Sequence, residues 1–99
     1  SSDLRDHRFE MALTLAELAR LAPLLDPAHP TRCDASGAHG AFGPEAAAWS
    51  ILFSAPRERV IAGMRFPIAD VTLRLIGFDD RLAARFLERF HLVFRKGGG

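Results

Sequence analysis

The sequence predicts an α+β fold, a two-layer sandwich in which an antiparallel sheet of about four strands carries two helices on one face. Several short stretches alternate apolar and polar residues, as half-buried strands do. Two longer stretches repeat apolar residues at three- and four-residue steps, as amphipathic helices do, which gives the order βαβββα. The 99 residues are 48% hydrophobic and 25% charged, which suits one folded domain over 1–99.

The first strand and the first helix are predicted from residues 7–25. Apolar and polar residues alternate over 7–13, which indicates a strand. Thr14 then begins a capping box with Glu17, in which each side chain satisfies a backbone amide of the other residue. Because Pro23 makes continuation unfavourable, we expect the helix to end between residues 22 and 25.

Residues 26–45 are predicted to form a long irregular loop. The segment contains three prolines and three glycines and shows no sustained periodicity. Irregular loops of this length are uncommon in compact domains and are usually functional or disordered. This one also holds two of the four histidines and the single cysteine.

Three further strands are expected in the central region, over 47–54, 59–66 and 71–75. The connector Pro-Arg-Glu-Arg at 56–59 has the length of a hairpin turn. We interpret Gly63 as a bulge within the second of these strands.

The last helix is predicted over 79–96. Asp79 and Asp80 can cap its N-terminus, basic residues complement the dipole at its other end, and Gly97 is expected to stop it. Its apolar face is formed by Leu82, Ala83, Phe86, Leu87, Phe90, Val93 and Phe94.

A second topology remains open. Phe90, Leu92 and Phe94 also alternate, so residues 90–95 are alternatively a final strand after a shorter helix. If 59–76 is then one long bent strand, the order becomes the ferredoxin-like βαββαβ.

Charge and cysteine content exclude some classes of protein. The net charge of +1 does not by itself indicate a nucleic-acid partner, although residues 1–56 carry −3 and residues 57–99 carry +4. No apolar run approaches the roughly 20 residues that cross a bilayer, so no membrane association is predicted. The single cysteine cannot form an internal disulfide, which favours a reducing, cytoplasmic location. Twelve Arg against one Lys, together with 16 Ala, are typical of a GC-rich genome and suggest a bacterial source.

The strongest candidate binding residues lie on the last helix. Arg81, Arg85 and Arg89 are four residues apart and form a basic ridge, which Arg95 and Lys96 extend toward the C-terminus. Arginine offers a planar fork of donors to phosphate, so this ridge is a candidate phosphate or nucleic-acid site. The alternative is a solvated helix face in which Glu88 pairs with Arg85.

A metal site is a weaker hypothesis. His29, Cys33 and His39 are residue types that bind zinc, but their spacing matches no closed structural zinc pattern. The sequence also lacks a P-loop, a GxGxxG turn and an HExxH helix. We therefore predict no cofactor and no catalytic residues.

These observations favour a non-enzymatic binding or assembly module that acts through protein contacts, including self-association into a dimer. A sheet with helices on one face leaves its other face uncovered and available to a partner. The residues expected on that open face are Arg8, Glu10, Ser50, Leu52, Thr72 and Arg74. Phosphate or nucleic-acid binding by the arginine helix is the first alternative, and a metal or small-ligand site in 26–45 is the second.

Overall fold

The computed structural model describes residues 4–98 and has an α+β architecture with a five-stranded antiparallel sheet and two α-helices. The strands lie in the order β1-β5-β4-β3-β2. The elements are β1 Leu4–Met11, α1 Leu15–Leu21, a short 3-10 helix Ala22–Leu24, β2 Arg32–Asp34, β3 Gly37–Phe42, β4 Ala47–Ile61, β5 Met64–Ile76 and α2 Asp80–Gly98. The predicted class is confirmed, with one strand more than expected.

The hydrophobic core lies between the sheet and the helices. Alternate residues of β4 and β5 point into it, among them Trp49, Ile51 and Leu73, while their neighbours in sequence point away. Phe86 and Phe90 of α2 are fully buried in the same cluster. One face of the sheet is therefore covered, and the opposite face is left open.

The segment 26–45 is not an irregular loop, because its second half forms the β2–β3 hairpin. Ala38 and Phe42 of β3 point into the core, but the position between them on that face is Gly40. A Cβ on Gly40 would lie only 2.8 Å from the ring of Trp49, which fills the space that a side chain would take. The glycine breaks the apolar alternation, so the sequence pattern hides the strand.

The hairpin connecting β4 and β5 turns at Ala62 and Gly63, not at residues 56–59. Ala62 has a φ of 53° and Gly63 a φ of 79°, as a two-residue type I′ turn requires. β4 continues past Pro56, where the register with β5 shifts through a bulge between Ser54 and Arg57. The predicted strand 71–75 is confirmed as part of β5, which begins earlier, at Met64. The single strand 59–66, the bent strand 59–76 and the bulge at Gly63 were wrong.

The first strand and helix are close to prediction. β1 begins and ends earlier than expected, although Leu13 beyond its end is still buried. The Thr14 hydroxyl accepts from the Glu17 amide, and the Glu17 carboxylate accepts from the Thr14 amide, so the capping box is confirmed. The helical segment continues as a 3-10 turn through Pro23 to Leu24.

The last helix is continuous, which excludes the ferredoxin-like alternative. Phe90, Val93 and Phe94 are buried at helical spacing, whereas Leu92 is 44% exposed, so helical periodicity and not alternation describes residues 90–95. Asp79 caps the helix by accepting from the Leu82 amide at 2.8 Å. The helix runs through Gly97, so the predicted stop at that residue was wrong. Of the helices between residues 4 and 98, neither combines the length and apolar composition needed to span a bilayer.

Candidate protein-binding surface

The β4–β5 hairpin extends beyond the rest of the sheet. β1 pairs with β5 no further toward the turn than Ala69, and β3 pairs with β4 no further than Leu52. Within residues 4–98, positions 57–68 therefore pair only with each other, and we call them the arm. The 13 residues of β5 extend about 43 Å. Since the molecule is 46 Å long, its longest dimension follows this strand.

The outer part of the arm is apolar and exposed. Val60 and Met64 are each 61% exposed, Ile61 is 54% and Phe66 is 37% exposed. A two-stranded ribbon has no second layer to cover such residues, and contiguous exposed apolar groups usually mark a binding site. By strand register, Ile61, Met64 and Phe66 share the side of the arm that carries Arg59, whereas Val60 lies on the other side beside Arg65.

Two arginines fix the arm against the edge of the sheet. Arg59 donates to the carboxylate of Glu10 on β1 at 2.7 Å, and Arg57 donates to both Glu10 and Asp70. The hydrogen bond from Arg59, followed by that from Arg57, holds the pKa of the Glu10 carboxyl below its ordinary value. The arm side that carries both arginines therefore continues the open face of the sheet.

The open face has the composition that the sequence predicts. Strand register places Arg8 and Leu52 on either side of Thr72, Ser50 beside Arg74, and Glu10 beside Asp70. All six predicted residues thus lie on one face. Arg74 donates twice to the Asp6 carboxylate, at 2.9 and 3.0 Å, and this contact lowers the pKa of Asp6.

The end of the open face farthest from the arm is apolar. Leu4 and Ile76 are opposite each other and exposed, and Ala48 and Ala41 continue the row across β4 and β3. We call these four residues the apolar row. Along the strands, the open face therefore changes from an apolar row, through a charged middle, to an apolar arm.

The arginines of the predicted ridge lie in different surroundings. Arg89 is half-buried and donates through two nitrogens to the carbonyl oxygen of Leu24, at 3.0 and 2.8 Å, which closes the end of the 3-10 helix. Arg81 and Arg85 are exposed and line a depression of about 250 Å³, whose other charged residues are Glu45 and Asp79. Arg95 is exposed near the end of α2, and the side chain of Lys96 lies outside the described residues.

The three candidate metal ligands are separated. The His29 ring contacts the Gly43 carbonyl oxygen at 2.8 Å, beside Asp26, which accepts from the Gly43 amide. Cys33 pairs with Ala38, which points into the core, whereas His39 pairs with Ser50 of the open face. Between residues 4 and 98, no three His, Cys, Asp or Glu side chains are grouped closely enough to hold a metal ion.

The arm residues are functional candidates that sequence reasoning missed. The sequence pattern predicted a strand over 59–66 as part of the sheet and did not indicate that Val60, Ile61 and Phe66 would be exposed beyond the neighbouring strands. The signal that identifies the turn is the dipeptide Ala62-Gly63 between two runs of apolar residues, but Ala is a weak marker for a residue with positive φ. Recognition of that turn would have shown that the ribbon is too long for β1 and β3 to cover.

The fold and this surface define a small α+β domain with a projecting arm. Comparison with known proteins adds no relative: no family model, no curated protein and no solved structure matches the chain.

Proposed function

We propose that this chain is a non-enzymatic protein-binding module that contacts its partner through the arm and the open face of the sheet. The observation that carries the proposal is the group of three large apolar side chains exposed on the side of the arm that continues the open face, Ile61, Met64 and Phe66. Covering the exposed parts of these three side chains contributes on the order of 3 kcal/mol before the costs of association. The remaining binding free energy has to come from the rest of the open face.

The attachment of the arm supports the same proposal. Ion pairs from Arg57 and Arg59 to Glu10 and Asp70 connect the base of the arm to the sheet and favour one orientation of it, each only weakly because the side chains are partly exposed. A binding element that is already ordered loses less conformational entropy when it meets a partner. The charged groups also give the surface polar contacts beside its apolar ones, as specific interfaces have.

Phosphate or nucleic-acid binding by α2 has less support. Its ridge is reduced to Arg81, Arg85 and Arg95, because Arg89 is engaged by the Leu24 carbonyl. Glu45 and Asp79 line the same depression as Arg81 and Arg85 and oppose an anion there. The metal alternative in 26–45 has less support still, because Cys33 and His39 belong to opposite faces of the sheet.

Affinity capture with three forms of the chain tests the proposal. The wild type, Met64→Asp in the arm and Leu24→Asp on the helix side serve as baits in a native extract, and every captured protein, a second copy included, is identified by mass spectrometry. Leu24 is 47% exposed and is a matched apolar control. We expect a specific protein to bind the wild type and Leu24→Asp but not Met64→Asp. Equal capture by all three forms, or capture by none, contradicts the proposal.

A further inference from the structure

We infer that the partner is a second copy of this chain, an inference that rests on the proposed function. The two copies pack with their open faces together and their strands antiparallel, so that the arm of each copy lies across the apolar row of the other. The inference comes from the arrangement of apolar and charged residues along the open face.

This arrangement is symmetric about Asp70. Asp70 lies midway along β5 between Met64 in the arm and Ile76 in the apolar row. Each of those positions is about 20 Å from it, at the usual rise of an extended strand. We place a two-fold axis between the two open faces, perpendicular to the strands and level with Asp70. Rotation about this axis puts the arm of each copy over the apolar row of the other.

The residues that this rotation superposes are chemically matched. Met64 meets Ile76 of the second copy, and Ile61, which pairs with Met64, meets Ala48, which pairs with Ile76. Phe66 meets Arg74 of the second copy, a contact suited to a cation over an aromatic face. Ile61, Met64 and Phe66, which share one side of the arm, thus meet apolar surface and one stacked guanidinium.

The middle of the face tolerates contact with its own copy. Arg57 and Arg59 are neutralised by Glu10 and Asp70 within each chain. Two such neutral clusters approach across the axis without facing a net like charge, whereas a patch of one sign would repel its own copy.

The faces of the arm are better placed for contact than its edges. Pro56 lies in β4 immediately before the arm, and Pro67 lies in the β5 strand of the arm. Each proline removes a backbone donor, and proline on an edge strand opposes pairing with a further strand. This favours packing of sheet on sheet over extension of the sheet.

The face is large enough for a weak dimer. The molecule is 46 Å long, and the open face is about 15 Å wide over the four strands of the sheet body but only about 5 Å wide over roughly 20 Å of arm. The footprint of about 500 Å² is below the roughly 800 Å² per partner of a typical specific interface and suits a concentration-dependent dimer.

Cross-linking between differently labelled copies tests the geometry. Cys33→Ser is introduced first, because it removes the exposed native thiol. Met64→Cys and Ile76→Cys chains are then made in this background and treated with a bis-maleimide. The reagent reaches about 10 Å, which is the usual distance between packed sheets. We expect a cross-linked dimer in the mixture of the two variants, and none from Met64→Cys alone, whose two thiols would be about 40 Å apart. Leu92→Cys, exposed on the helix side, is the control and should not cross-link with either.

Three results overturn the inference: cross-linking of Met64→Cys to itself, equal cross-linking of Leu92→Cys, and a wild-type chain that sediments as a monomer. Circular dichroism of each variant verifies that it is folded. If the wild type is monomeric but still captures a different protein that Met64→Asp loses, this inference fails while the proposed function stands. If all capture is also absent, both fail.

Discussion

Arg59 in the arm donates a hydrogen bond to Glu10 of β1 at 2.7 Å, although the two residues are far apart in sequence and β5 lies between their strands. Glu10 also accepts from Arg57, which in turn reaches Asp70 on β5. One carboxylate of the edge strand thus restrains the base of the arm. A ribbon held in this way presents its apolar residues in a defined direction.

The Glu10 carboxyl is expected to titrate below the range of an ordinary glutamate, because both guanidinium groups favour its charged form, Arg59 most strongly. A carboxyl with a lowered pKa in the folded state contributes stability that is present above its unfolded pKa and is lost as the pH falls through the folded value. The attachment of the arm is therefore expected to weaken only below the usual carboxyl range. NMR titration of the Glu10 side chain measures this.

Arg59→Gln provides the comparison for that titration. It removes the largest cause of the shift, so the pKa of Glu10 should rise toward its ordinary value. The resonances of Ile61 and Met64 should also broaden or move. An unchanged Glu10 titration curve would show that the ion pair does not form in solution.

Arg89 and Arg85 are expected to differ in their effect on stability. Arg89→Ala removes two hydrogen bonds to the Leu24 carbonyl, and we expect the free energy of unfolding to fall by about 1 kcal/mol. Arg85→Ala removes an exposed side chain of the same helix and should change it by less than about 0.5 kcal/mol. Chemical denaturation followed by circular dichroism measures both, and equal effects would contradict a structural role for Arg89.

Ala46→Gly is expected to stabilise the fold. Ala46 has a φ of 52° in the turn between β3 and β4, a conformation that glycine adopts without a steric penalty. The expected gain is about 0.5 to 1 kcal/mol, offset in part by the greater freedom of glycine in the unfolded chain. Ala48→Gly, in the adjacent extended strand, should instead destabilise by a similar amount. Thermal unfolding in which both substitutions shift the midpoint in the same direction would refute the argument.

Gly40→Val is expected to destabilise the protein, even though valine favours strands. A Cβ at this position meets the Trp49 ring at 2.8 Å and the Pro30 carbonyl at 3.3 Å. Displacing a buried tryptophan costs about 1 to 3 kcal/mol. Ala41→Val, the next residue on the same strand but on the open face, supplies the control and should be nearly neutral. Urea denaturation that ranks the two variants in the opposite order would show that Trp49 does not occupy this space.

Local patterns predicted much of this fold. The Thr14 capping box, the Asp79 cap and the alternation around Trp49 depend on residues within a few positions of one another, and the structure contains all three. Alternation also assigned Arg8, Leu52 and Arg74 to one face before any pairing was known. A face is decided by the two-residue period of a strand, so it can be assigned without knowing the neighbouring strands.

Features that depend on distant residues were not predictable in this way. The sequence did not predict β3, because the Trp49 ring fills the space where a side chain of residue 40 would lie and that position is therefore glycine. β4 was predicted too short, because Pro56 is tolerated at a bulge. Arg89 was assigned to a phosphate site because its partner, the Leu24 carbonyl, is distant in sequence. The arm itself is a consequence of where β1 and β3 end relative to β4 and β5, which only the assembled sheet reveals.

Sedimentation velocity over a range of concentrations tests most directly whether the arm mediates association. We expect the sedimentation coefficient of the wild type to rise with concentration toward that of a dimer, and that of Leu92→Asp to rise with it, because Leu92 is exposed on the helix side. Met64→Asp should remain a monomer throughout, since a charge in the arm would be buried against the apolar row. A wild-type chain that stays monomeric at every concentration, or a Met64→Asp chain that still dimerises, would contradict self-association through the arm.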